Sequence, residues 1–156
     1  MEQKTKLPKN NMVPRIGLSY KSCADFDCMP KVSNASDAYK VLIDNWNTDT
    51  LELLETFVIM PLNTAKKVLG FIEISTGGIT GTVIDIRLIF SAAMLTSATA
   101  IIVAHNHPSS QTKPSQADFK ITEKLVAAGR LLDIQVLDHI IVTPKAYFSF
   151  GDEGLL

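Results

Sequence analysis

Two histidines two positions apart, His105 and His107, are followed at short distance by Ser115 and Asp118. The stretch reads His-x-His-x7-Ser-x2-Asp and holds two of the chain's three histidines. Two imidazoles and one carboxylate are a ligand set of catalytic zinc, which keeps a fourth position open for water. Water held there loses a proton near neutral pH and becomes a nucleophile. Such chemistry also calls for a carboxylate outside the coordination sphere, as general base and later acid. Glu73, inside the apolar run Val68-Leu-Gly-Phe-Ile-Glu-Ile, is the preferred candidate, because a carboxylate in such a run is costly to bury without a partner.

The elements around these residues must aim them at one point. In a strand, residues i and i+2 share a face, so His105 and His107 point one way and Asn106 the other, and Pro108 ends the element. Ser115-x-x-Asp118 resembles a capping box at a helix start, which would turn Asp118 toward the loop carrying the histidines. His139, in Leu137-Asp-His-Ile-Ile, reads as a structural histidine rather than a fourth ligand, with Asp138 on the opposite face. The blander alternatives are buried structural histidines at 105 and 107, and a Glu73 that is an edge-strand charge facing solvent.

The remaining pattern predicts one layered α/β domain. Residues 1–35 form a polar extension with an edge strand at Val13–Tyr20 and a loop at Lys21–Ser33. A helix is expected near 36–47, then a hairpin of Glu55–Leu62 and Lys67–Ser75 around Asn63-Thr-Ala-Lys66. A short strand at Thr82–Ile86 and a helix at Ile89–Ala98 precede Ala100–Ala104, an apolar run of the kind buried on both faces of a sheet. A second helix runs from Ser115 to Gly129, whose glycine sits where a C-cap would. Strands at Ile134–Val142 and Tyr147–Phe150 complete a mixed sheet.

Composition narrows the function classes. A chain of 156 residues with net charge −1 lacks the basic balance of a general nucleic-acid binder, so direct nucleic-acid contact is not expected. The sequence contains no apolar stretch long enough to span a bilayer and no secretory leader. Cys23 and Cys28 are read as reduced thiols of a cytoplasmic protein rather than a zinc knuckle. Gly77-Gly78 and Gly81 lack the Gly-Lys-Ser/Thr of a phosphate loop, and no Gly-x-Ser-x-Gly supports a serine hydrolase built on His139. The adjacent letters His-Asn-His are not an HNH nuclease, whose residues are spread over a ββα unit. The His-x-Glu and Pro-Cys-x-x-Cys of zinc deaminases are absent.

The chain resembles the JAMM (MPN-type) metalloprotease family, whose signature is an upstream Glu followed by His-x-His-x7-Ser-x2-Asp. It is more closely similar to the JAB domain of RadC-type proteins, through His105-Asn-His-Pro-Ser109, Pro114-Ser-Gln-Ala-Asp118, Leu137-Asp-His-Ile-Ile141 and Tyr147-Phe-Ser-Phe-Gly-Asp-Glu-Gly-Leu-Leu156. The resemblance covers residues 36–156. It implies a single-domain mixed β-sheet flanked by helices in the layered, cytidine-deaminase-like arrangement. It also implies Zn2+ held by His105, His107 and Asp118, with Glu73 activating the water and Ser115 donating to the oxyanion. Glu55 competes with Glu73 for the first of those roles.

Ser110 departs from the family pattern, which usually has Gly there. The segment before residue 36 is too short for the helix-hairpin-helix region of many RadC-type chains. The expected activity is zinc-dependent hydrolysis of a peptide or isopeptide bond in a protein or peptide substrate. The alternative is a non-catalytic interaction module of RadC type, associated with DNA repair or mobile-element processing.

Overall fold

The computed structural model describes residues 25–78 and 81–156. The expected edge strand at Val13–Tyr20 and Cys23 lie outside the described residues. After a short 3-10 turn at Phe26–Cys28, the chain forms α1 (Ala35–Asn45), β1 (Thr56–Leu62), β2 (Ile72–Thr76), α2 (Ile86–Leu95), β3 (Ala100–Asn106), α3 (Gln116–Leu131), β4 (Gln135–Val142) and β5 (Tyr147–Ser149). The five strands make one sheet in the order β2-β1-β3-β4-β5. Only β3 and β4 are parallel, joined through α3, and every other pair is antiparallel. The sheet is therefore mixed, as expected.

Helices cover both faces, so the central strands are largely apolar and all seven residues of β1 and all seven of β3 are buried. On one face, Ala38 and Leu42 of α1 pack on Val58, Met60, Ile102, Ala104 and Ile140. On the other, Ile89, Phe90 and Ala93 of α2 and Leu125 of α3 pack on Phe57, Ile59, Ile101 and Val103. His105 contacts Phe57 and so lies on the second face, the α2/α3 face.

Several boundaries differ from expectation for local reasons. Thr82–Ile86 is not a strand. Asp85 caps α2 by accepting from the Arg87 N–H at 2.9 Å, which moves the helix start to Ile86. The helix ends early at Leu95, where the Thr96 hydroxyl bonds back to the Ala92 and Ala93 carbonyls and Ser97 turns left-handed with φ 54°. Lys67–Gly70 makes only isolated bridges before β2 begins at Ile72. Gly129 is not a C-cap, because α3 continues to Leu131. A Cβ there would collide with the Ile134 carbonyl oxygen, so the glycine admits the returning chain that becomes β4.

Two β-bulges set which side chains face which layer. One lies where β1 meets β2, between Phe57 and Val58. The other skips Leu137: Ile101 pairs with Val136, and Ile102 with Asp138. Leu137 packs with the α1 face, and Val136 with the α2/α3 face. The extra residue rotates His139 onto the α2/α3 face, against Phe57 and His105. Regular alternation from Val136 would have sent it to the other side.

Candidate metal centre

His105 ends the buried β3, and His107 follows one residue past Asn106, its N–H still bonded to the Val142 carbonyl at 3.3 Å. Ser115 caps α3. Its hydroxyl oxygen accepts from the Asp118 N–H at 3.2 Å, while Asp118 Oδ2 accepts from the Ser115 N–H at 2.6 Å. This complete capping box swings the Asp118 carboxylate onto the histidines. The Nε2 atoms of His105 and His107 are 3.0 Å apart. Asp118 Oδ1 lies 3.2 Å from His105 Nε2, and Oδ2 lies 3.7 Å from His107 Nε2.

Zinc bound tetrahedrally at about 2.1 Å to each ligand needs donor atoms about 3.4 Å apart. The His105 Nε2–His107 Nε2 and His105 Nε2–Asp118 Oδ1 separations lie near that spacing, while the His107 contact is to the other carboxylate oxygen, Oδ2. The proton positions match as well. His107 Nδ1 faces the Gln111 carbonyl at 2.7 Å; a carbonyl only accepts, so the neutral ring carries its proton on Nδ1 and leaves Nε2 bare. The three residues form a group able to hold a metal ion.

The electrostatics follow from this crowding. Burial alone would raise the Asp118 carboxyl, but the His105 and His107 rings, by hydrogen bonding and charge in the forms that carry a proton on Nε2, and the Ser115 N–H hold it well below the usual carboxylate range. The Asp118 carboxylate raises His107 above its ordinary 6.5 against the opposing effect of burial, and the Gln111 carbonyl and Glu55 add to the rise.

A cleft opens beside the three ligands, lined among others by Glu55, Ile84, His107, Lys113, Ser115 and Asp118. Ser115 is exposed there. Glu73, the candidate preferred from sequence, lies away from these residues. Its neighbours Ile72 and Ile74 pack on the α2/α3 face, so Glu73 points to the α1 face, exposed, beside Trp46, Phe71 and Thr76. Its carboxylate accepts from the Thr76 hydroxyl. Glu55 precedes β1 by one residue and shares the parity of Phe57. Extending the register in which Phe57 opposes His105 brings Glu55 opposite His107.

The single mixed sheet of five strands with three helices is consistent with the JAB/MPN fold. The chain belongs to the RadC-like JAB domain family, which matches residues 32–155. Among its relatives, a UPF0758 protein of Flavobacterium johnsoniae is 46% identical over 101 residues, covering 65% of this chain and 44% of that protein. A UPF0758 protein of Porphyromonas gingivalis is 39% identical over 132 residues, covering 82% and 57%. One of Methanosarcina mazei is 34% identical over 126 residues, covering 81% and 54%. The chain thus spans about half the length of the curated relatives it matches.

Asn106, Ser110 and His139 of this JAB domain lie around the candidate centre. Asn106, fully buried, points away from the ligands: its Nδ2 donates to the Leu51 and Leu54 carbonyls at 2.6 and 2.8 Å. Ser110, in the loop after the ligand histidines, is left-handed with φ 58°, the conformation glycine adopts without cost. His139 is fully buried, and burial, with the neighbouring His105, holds its imidazole well below the ordinary range. It therefore stays neutral. Among the described residues, no helix is long and apolar enough to cross a membrane.

Proposed function

We propose that this JAB domain is a metal-dependent hydrolase acting on a peptide or isopeptide bond. The observation carrying the reading is the convergence of ligand atoms of His105, His107 and Asp118 within 4.8 Å of one another, with His107 and Asp118 lining an open cleft. Zinc bound by two histidines and a carboxylate supplies Lewis acidity toward a carbonyl and water. Glu55 takes the proton from the attacking water and passes it to the departing nitrogen. The Ser115 hydroxyl accepts the Asp118 N–H through its oxygen, which leaves its proton to donate to the carbonyl oxygen as negative charge develops there. The protein or peptide substrate enters along the cleft past Lys113.

The test is elemental analysis of purified and zinc-loaded protein, followed by turnover on a panel of peptides and isopeptide-linked conjugates. One equivalent of zinc and cleavage that vanishes in Asp118→Ala are expected. Failure to load zinc, or equal cleavage by that variant, would overturn the reading. A second reading is a non-catalytic interaction module, favoured by the exposed Leu88, Met94 and Leu95 of α2. Zinc binding without cleavage of any conjugate would favour it.

A further inference from the structure

His105 differs from His107 in what orients it. The Nδ1 of His107 faces a carbonyl, which can only accept. The Nδ1 of His105 faces the Nε2 of His139 at 2.9 Å, and an imidazole nitrogen can either donate or accept. The direction of that bond decides whether His105 Nε2 is bare or protonated, so His139 must itself be oriented.

Thr122 supplies the direction. Its hydroxyl donates to the Asp118 backbone carbonyl at 2.6 Å, and the same oxygen lies 2.6 Å from His139 Nδ1. The hydroxyl has one proton, already given to an obligate acceptor. The oxygen therefore accepts from His139 Nδ1–H. Neutral His139 then has a bare Nε2, which accepts from His105 Nδ1–H, and His105 Nε2 is left as a lone pair facing His107 and Asp118. The relay begins at one ligand residue and ends on the main chain of another. All of it is buried: Thr122 and His139 expose 2% and 0% of their surface, so water does not offer a substitute partner.

We propose that His139 and Thr122 are positioning residues that fix the tautomer of His105 and so present its Nε2 to a divalent cation held with His107 and Asp118. The proposal rests on the metal-binding reading above. Loss of such an outer partner weakens metal affinity by about 10- to 100-fold. The isosteric Thr122→Val removes the acceptor for His139, which can then donate through Nε2 and drive the proton of His105 onto its own Nε2. Thr122→Ser restores the hydroxyl. His139→Gln keeps an acceptor for His105 and a donor for Thr122, whereas His139→Leu keeps neither.

The experiment combines zinc affinity, by competition with a chromogenic chelator, with histidine tautomers from long-range proton–nitrogen NMR on zinc-free protein. The expected wild-type result is His105 and His139 both protonated on Nδ1. Thr122→Val and His139→Leu should lose about tenfold or more in zinc affinity, Thr122→Val with His105 shifted toward the Nε2–H form. Thr122→Ser and His139→Gln should keep affinity near wild type. Wild-type His105 protonated on Nε2 overturns the proposal without any variant. Wild type that binds zinc no more tightly than Thr122→Val overturns the relay while the metal reading survives. Wild type that shows the expected tautomers but binds no zinc overturns the metal reading, and with it the purpose assigned to the relay.

Discussion

Asn106 Oδ1 accepts a hydrogen bond from the Thr56 N–H at 2.7 Å. The residue between two ligand histidines thus holds the start of β1 immediately after Glu55. Period-two alternation makes this possible, because the side chain opposite the ligands faces the Leu51–Thr56 segment. Asn106→Ala leaves the Leu51 and Leu54 carbonyls and the Thr56 N–H without partners. It should cost about 3 kcal/mol of stability, measured by urea unfolding. Zinc affinity should change little, since the ligands stay on their own elements, while turnover should fall as Glu55 loses its support.

Exchange of the two candidate bases separates them. Glu55→Gln should retain stoichiometric zinc by elemental analysis and lose about 100-fold or more in turnover. Glu73→Gln should turn over as wild type does, because its carboxylate lies on the opposite face of the sheet. The reverse pattern would return the role to Glu73.

Zinc affinity should fall with acid. In the metal-free protein His107 titrates above 6.5, and it must be neutral to ligate. Protons therefore compete with the metal as pH falls through the His107 pKa, with the loss beginning above 6.5 rather than below it. Calorimetric titration of zinc across pH 5.5 to 8.5 (roughly the histidine range) reads this directly. Affinity that improves toward acid would contradict it.

Zinc should stabilise the fold by mass action, by about 2.7 kcal/mol at a free concentration one hundred times Kd. Thermal melts with and without zinc measure the shift. Asp118→Asn keeps a side-chain acceptor for the Ser115 N–H and should melt near the metal-free wild type, yet show almost no zinc-induced shift.

Ser110→Gly should stabilise by about 1 kcal/mol, the cost of a left-handed non-glycine residue. The exposed contact of the Ser110 hydroxyl with Glu52 at 3.2 Å offsets little of it. Chemical denaturation of the variant checks the sign, and zinc affinity should not move.

How much of this was legible in advance depends on sequence separation. The ligands lie within fourteen consecutive residues, 105 to 118. Strand periodicity and a capping box are local rules, so His105, His107, Ser115 and Asp118 could be aimed from the amino-acid order alone. The apolar runs likewise specified a layered mixed sheet. The identity of the facing glutamate was not local. Glu55 and Glu73 both lie in or beside apolar strand-like runs, and only the pairing of β1 with β3 across fifty residues puts Glu55 opposite His107. His139 depended on the single extra residue at Leu137, since a one-residue slip exchanges the two faces of a strand. The proton on His105 depended on Thr122, brought beside His139 by the packing of α3 on β4. Sequence determined which atoms could bind a metal. Tertiary structure decided which carboxylate lies toward His107 and which side chains meet the buried face of His105, because register and buried hydrogen bonds are long-range properties.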